Sequence, residues 1–221
     1  MAGMDMPAMQ MSGFDSWNLS ALLLLFLMWA VMMVAMMVPS AVPMIQGFVA
    51  VNERRRNSSR PVIPVGVFVL GYIVAWTSFS AATALAQWGL HRAALLSPMM
   101  VSTSPILSGG LLLAAGIFQW TPLKRACLRN CRSPLTFLMS GWRDGTAGAF
   151  FMGLHHGAYC VGCCWALMVL LFVVGVMNLL WVAVIALFVI AEKVLPRGEL
   201  IAHIAGVALV VVGIGVITKS W

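Results

Sequence analysis

Long blocks of apolar residues, separated by short polar and cationic segments, dominate the chain. A helix needs about 20 apolar residues to cross a hydrocarbon layer about 30 Å thick, at about 1.5 Å of rise per residue. Six stretches meet or approach that length: 17–38, 62–88, 105–121, 147–176, 178–195 and 200–218. The pattern predicts an all-α, polytopic membrane helical bundle of about six transmembrane helices. Pro39 closes the first stretch and Pro61 precedes the second, as expected of proline at helix boundaries. The fourth would be about 45 Å long if straight. It contains Gly153, Gly157 and Gly162, so it is expected to be strongly tilted or broken near His155 to Cys160.

Composition excludes the other classes. With 62% hydrophobic and 9% charged residues in 221, and a mean hydropathy of +0.99, the chain cannot clothe a soluble globule in polar surface. Its net charge of +7 sits in the connections between apolar runs, which argues against nucleic-acid binding. Arg54, Arg55, Arg56, Arg60, Lys124, Arg125, Arg129, Arg132, Arg143, Lys193 and Arg197 fall on one side of a six-pass topology. Only Arg92 and Lys219 fall on the other. The positive-inside rule then places both termini outside the cytoplasm. Trp17, Trp76, Trp88, Trp142 and Trp221 are expected as interfacial anchors. Met1 to Met11 carries no basic leader and the first apolar run is too long for a signal peptide, so the first span is expected to be retained. Residues 1–16 read as a Met-rich extracytoplasmic arm, and 17–221 as a single transmembrane domain.

Sulfur is over-supplied: the chain has 5 Cys and 17 Met, the latter roughly three times an average share. His155, His156, Cys160, Cys163, Cys164 and Met168 lie within the fourth apolar stretch. On a helix, spacings of three and four bring His156, Cys160, Cys163 or Cys164, and Met168 onto one face. Thiolate, thioether and imidazole together favour Cu(I) or Zn, and the thioethers favour Cu(I). The competing readings are small-hydrophobe packing and thiol redox chemistry. In the first stretch Met28, Met32 and Met36 form one row and Met33 and Met37 a second, a sulfur stripe that packing alone could also produce. Met1, Met4, Met6, Met9 and Met11 suggest a copper-collecting arm or a surface anchor. Cys127 and Cys131 stand among Lys124, Arg125, Arg129 and Arg132, where positive charge is expected to lower the thiol pKa and favour metal transfer. Glu192 and Lys193 are expected at the cytoplasmic interface, snorkelling, pairing or serving an ion path.

Several segments resemble one family: Met28-Trp29 with Met36-Met37 and Pro39-Ser40; Gln119-Trp120-Thr121-Pro122-Leu123-Lys124 with Cys127-Leu128 and Cys131-Arg132; Tyr159-Cys160 with Gly162-Cys163-Cys164-Trp165-Ala166-Leu167-Met168; and Glu192-Lys193. They are similar to predicted metal-binding integral membrane proteins that include a bacterial copper chaperone for a polyphenol oxidase (tyrosinase). The resemblance implies copper handling in a bacterial inner membrane and no catalytic residue.

The expectation is a non-enzymatic Cu(I) chaperone or transporter. It would pass copper by Met, Cys and His ligand exchange to a copper-receiving protein or across the lipid bilayer. No phosphate loop or phosphorylatable Asp motif is visible, and no nucleotide cofactor or nucleic-acid partner is expected. The alternatives are a membrane thiol or haem oxidoreductase, with His155 or His156 as an axial ligand, and a structural subunit of a membrane complex.

Overall fold

The computed structural model describes residues 19–56, 63–96, 102 and 104–219. The fold is all-α: α1 Leu19–Arg56, α2 Val65–Arg92, α3 Pro105–Phe118, α4 Pro122–Arg132, α5 Pro134–Ser140, α6 Gly145–Val169, α7 Leu171–Val174, α8 Leu179–Val194 and α9 Gly198–Thr218. Local sequence sets several starts. Ser104 and Thr121 cap α3 and α4 by accepting the Leu107 and Lys124 amides, each followed by proline at the first helical position.

Among the described residues, four helical runs are long and apolar enough to cross a membrane: α1, α2, α6 continued through α7, and α9. A fifth arises if α3 and α4 count as one crossing across their 63° bend. The expected crossing at 178–195 forms a short helix, since the 16 residues of α8 span about 24 Å. With four cations on a short amphipathic helix, α4 has the character of a segment lying at the interface rather than within the hydrocarbon.

Two boundary expectations fail. α1 does not stop at Pro39; it continues through Pro39 and Pro43 to Arg56. Within this stretch Ser40 Oγ and Tyr72 OH both donate to the Met37 carbonyl, at 2.8 and 2.9 Å, which ties the turn to α2. The fourth stretch is also unbroken between His155 and Cys160; its break follows Val169. The glycines there bring α6 against α2. A Cβ on Gly153 would stand 1.9 Å from the Phe68 carbonyl oxygen, and one on Gly157 would stand 2.5 Å from Ala75 Cβ. Gly71 of α2 meets the Phe150 backbone in return. Small residues four apart thus make a seam where two backbones nearly touch, and the order of contacts makes α2 and α6 parallel. Gly109 and Gly116 of α3 pack likewise against Gly213 and Gly206 of α9, in antiparallel order.

Polar ties complete the end of the bundle that carries the cationic connections. Asn52 holds the Ile63 backbone through both its donor and its acceptor, at 2.7 and 3.2 Å. Arg55 pairs with Asp144 and lies over the Trp142 ring. Lys124 of α4 binds both oxygens of Glu192 on α8 at 2.8 Å and also donates to Gln119. Both ends of that ion pair are buried.

Two outcomes follow. Gly153→Ala should lower the thermal midpoint in detergent by several degrees, through an overpacking cost of about 1–3 kcal/mol or more. Gly110→Ala, with open space around its Cβ, should leave it unchanged or slightly raised. Lys124→Met should cost about 3–5 kcal/mol by stranding Glu192, and Lys124→Met combined with Glu192→Leu should recover most of the loss. Thermal unfolding of the purified variants checks both.

Candidate metal centre

The buried face of α6 carries His156, Cys160, Cys163, Cys164 and Met168, at the spacings that put them on one side of a helix. Cys160 is its centre. Its sulfur lies 2.8 Å from Lys193 Nζ of α8 and 3.1 Å from the Tyr72 hydroxyl of α2. Cys164 Sγ stands 4.0 Å from Met37 Sδ of α1, and Cys163 Sγ stands 4.0 Å from Cys131 Sγ of α4. Cys127, one turn before Cys131, is packed against Gly162; a Cβ at that glycine would lie 2.9 Å from its sulfur. All five cysteines are reduced and buried. Five helices therefore send side chains to one sulfur-rich locus.

Lys193 and Tyr72 are site residues that sequence reasoning missed. Lys193 does not snorkel to the headgroups: it is buried, and its ammonium also donates to Ser40 Oγ at 2.9 Å. The neighbouring carboxylate, Glu192, is already held by Lys124, so the Lys193 ammonium is left to the Cys160 sulfur and Ser40. The signal in the sequence was a Glu-Lys pair ending an apolar run, read as interfacial because no local pattern places α1 and α6 beside it. Tyr72 carried no signal beyond its rarity, as one of 2 Tyr.

Other expected donors separate. His155 is exposed on the opposite side of α6 and leaves the donor set. His156 is buried one turn before Cys160 but stacks on Tyr72 and Phe68, with ring centroids 5.5 and 6.2 Å away. The two methionine rows of α1 also divide: Met33 and Met37 are fully buried with Met168 in the main core, whereas Met28, Met32 and Met36 line a cleft of about 920 Å³ against α8 and the turn bearing Met177. Trp76 is buried in the middle of α2 rather than anchored at an interface. The methionines of residues 1–16 lie outside the described residues.

The cations of α4 do not act on its thiols as expected. Arg125 and Arg129 are exposed while Cys127 and Cys131 face α6. Burial pushes the Cys127 thiol up from its ordinary value, and the nearby Cys163 thiol adds to the shift.

Chemically the locus offers soft donors on several helices, the set that selects Cu(I) over hard cations. Among the described residues no three His, Cys, Asp or Glu side chains form a ready-made cage. The Cys163 and Cys164 thiols instead donate to the Cys160 carbonyl, at 3.1 and 2.8 Å. An ion could be held there only if those side chains turned from the backbone toward it.

No curated protein and no solved structure matches the chain. The PpoB2 family, described as copper chaperones, matches residues 26–216, from the first turns of α1 to the last turn of α9. That stretch contains all five cysteines, α2 to α8 whole and most of α1 and α9, and the chain belongs to this copper chaperone family.

Proposed function

We propose that the chain is a Cu(I)-binding protein of a bacterial inner membrane, with both termini outside the cytoplasm, that holds the ion at the Cys160 locus and passes it on by ligand exchange. One observation carries this reading: Cys164 approaches a thioether of α1 and Cys163 a thiol of α4, each at 4.0 Å, so the locus has sulfur neighbours on two sides. On the first side, Met28, Met32 and Met36 border the α1–α8 cleft and would admit the ion to Met37 and Cys164. On the second, Cys131 and then Cys127 lead along the amphipathic α4 toward the cationic end. Thioethers coordinate without losing a proton, and each transfer exchanges one soft ligand for another without releasing a free ion, so such a route requires no nucleotide. The recipient would be a copper-receiving protein, and the role is carriage rather than catalysis.

Competition titration of the detergent-purified protein with a Cu(I) chelator tests this reading. Changing Cys160, Cys163 and Cys164 to Ser should weaken the tightest Cu(I) equivalent on the order of 100-fold or more, about 3 kcal/mol. Equal copper affinity in both proteins would end the proposal, and a haem spectrum in the purified protein would favour an oxidoreductase instead. Cys127 provides a second check. In a variant retaining it as the sole cysteine, the pH midpoint of alkylation should lie above the value of about 8.5 for a free thiol. A midpoint below that would mean that the α4 cations govern it after all.

A further inference from the structure

Three features of the inner half of the bundle are left unused by the Cys160 route. His156 is buried, and among the described residues its Nδ1 has no hydrogen-bond partner. Met152 is buried one turn before His156 on the same face of α6. Met44 of α1, also buried, shares a core cluster with Met152, Phe48, Phe68 and Leu138. His156 borders that cluster, stacking on Phe68 and meeting Phe137 edge-on at 5.8 Å.

A buried polar atom without a partner is destabilising and calls for a cause. The Trp76 indole nitrogen is also without a partner among the described residues. Indole N–H can only donate, however, whereas an imidazole nitrogen with its lone pair can bind a metal. Stacking on Tyr72 and Phe68 holds the His156 ring in place. Met152, one turn away on α6, and Met44, in the cluster that His156 borders, add neutral thioethers, so this donor set suits a soft monovalent cation and offers nothing to a hard divalent one.

We infer that His156, Met152 and Met44 form a second Cu(I) site, one helical turn toward the inner end of α6 from the Cys160 locus and distinct from it in ligand type. It extends the proposed copper reading with a neutral, thioether and imidazole station beside the thiol one. Met37 with Cys164 at 4.0 Å, and Met44 with Met152 in one core cluster, would then be two groups of soft donors drawn from α1 and α6. Ions entering the His156 station would bind more weakly than at the thiols, because no thiolate charge attracts them.

Methionine ε-methyl NMR of the full chain in detergent, titrated with Ag(I) as a diamagnetic stand-in for Cu(I), tests the inference. The Met37 methyl should shift over the first equivalent and the Met44 and Met152 methyls over the second, while exposed Met139 stays unchanged. His156→Phe keeps an aromatic ring in the stack and removes the ligand nitrogen; it should weaken the second equivalent at least tenfold and leave the first intact. Met44 and Met152 methyls that remain still through saturation overturn the inference, as does an unaltered second equivalent in His156→Phe. A moving Met37 in either case leaves the Cys160 reading standing, whereas shifts at Met44 and Met152 without one at Met37 support the second site and count against the first.

Discussion

Cys160 lies where α1, α2, α6 and α8 converge, with a lysine ammonium 2.8 Å and a tyrosine hydroxyl 3.1 Å from its sulfur. Burying a cation in an apolar bundle is costly unless it meets negative charge or strong acceptors. The arrangement is supported outward in layers. Lys193 is steadied by Ser40, Tyr72 by the Met37 carbonyl, and Glu192 is kept for Lys124. Each of these contacts joins a different pair of helices, so the polar interior that serves the thiols also fixes how the helices register. Loss of any one partner leaves a polar group stranded in the bundle, which is why the site and the fold are coupled.

Close backbone approach makes that convergence possible. Phe68 and Tyr72 can reach His156 and Cys160 because Gly71, Gly153 and Gly157 remove the side chains that would hold α2 and α6 apart. The glycines of α6 look like places to break a helix when read along the sequence, but between two packed helices they are places to touch. The same reversal applies to Pro39. In water a proline in mid-chain usually ends a helix, but inside an apolar bundle unwinding would strand further backbone groups, and α1 runs on.

Much of this was legible from residues alone. Block hydrophobicity indicated the helical class, and spacings of three and four put Cys160, Cys163, Cys164 and His156 on one buried face of α6. The soft-donor chemistry agrees with membership of a copper chaperone family. What periodicity could not supply was which helix lies beside which. Lys193, 33 positions after Cys160, and Tyr72, 88 positions before it, reach the sulfur through packing that leaves no local trace. For the same reason the cations of α4 misled: adjacency in sequence suggested they would act on Cys127, but the helix turns Arg125 and Arg129 away from it.

The central claim is that one Cu(I) ion is held within the bundle by sulfur drawn from several helices. Copper-edge X-ray absorption of the protein loaded with a single equivalent of Cu(I) measures the ligand atoms directly. The account predicts a first shell of sulfur alone, lost when Cys160, Cys163 and Cys164 are together replaced by Ser. A first shell dominated by nitrogen or oxygen, or a spectrum indifferent to those replacements, would contradict it.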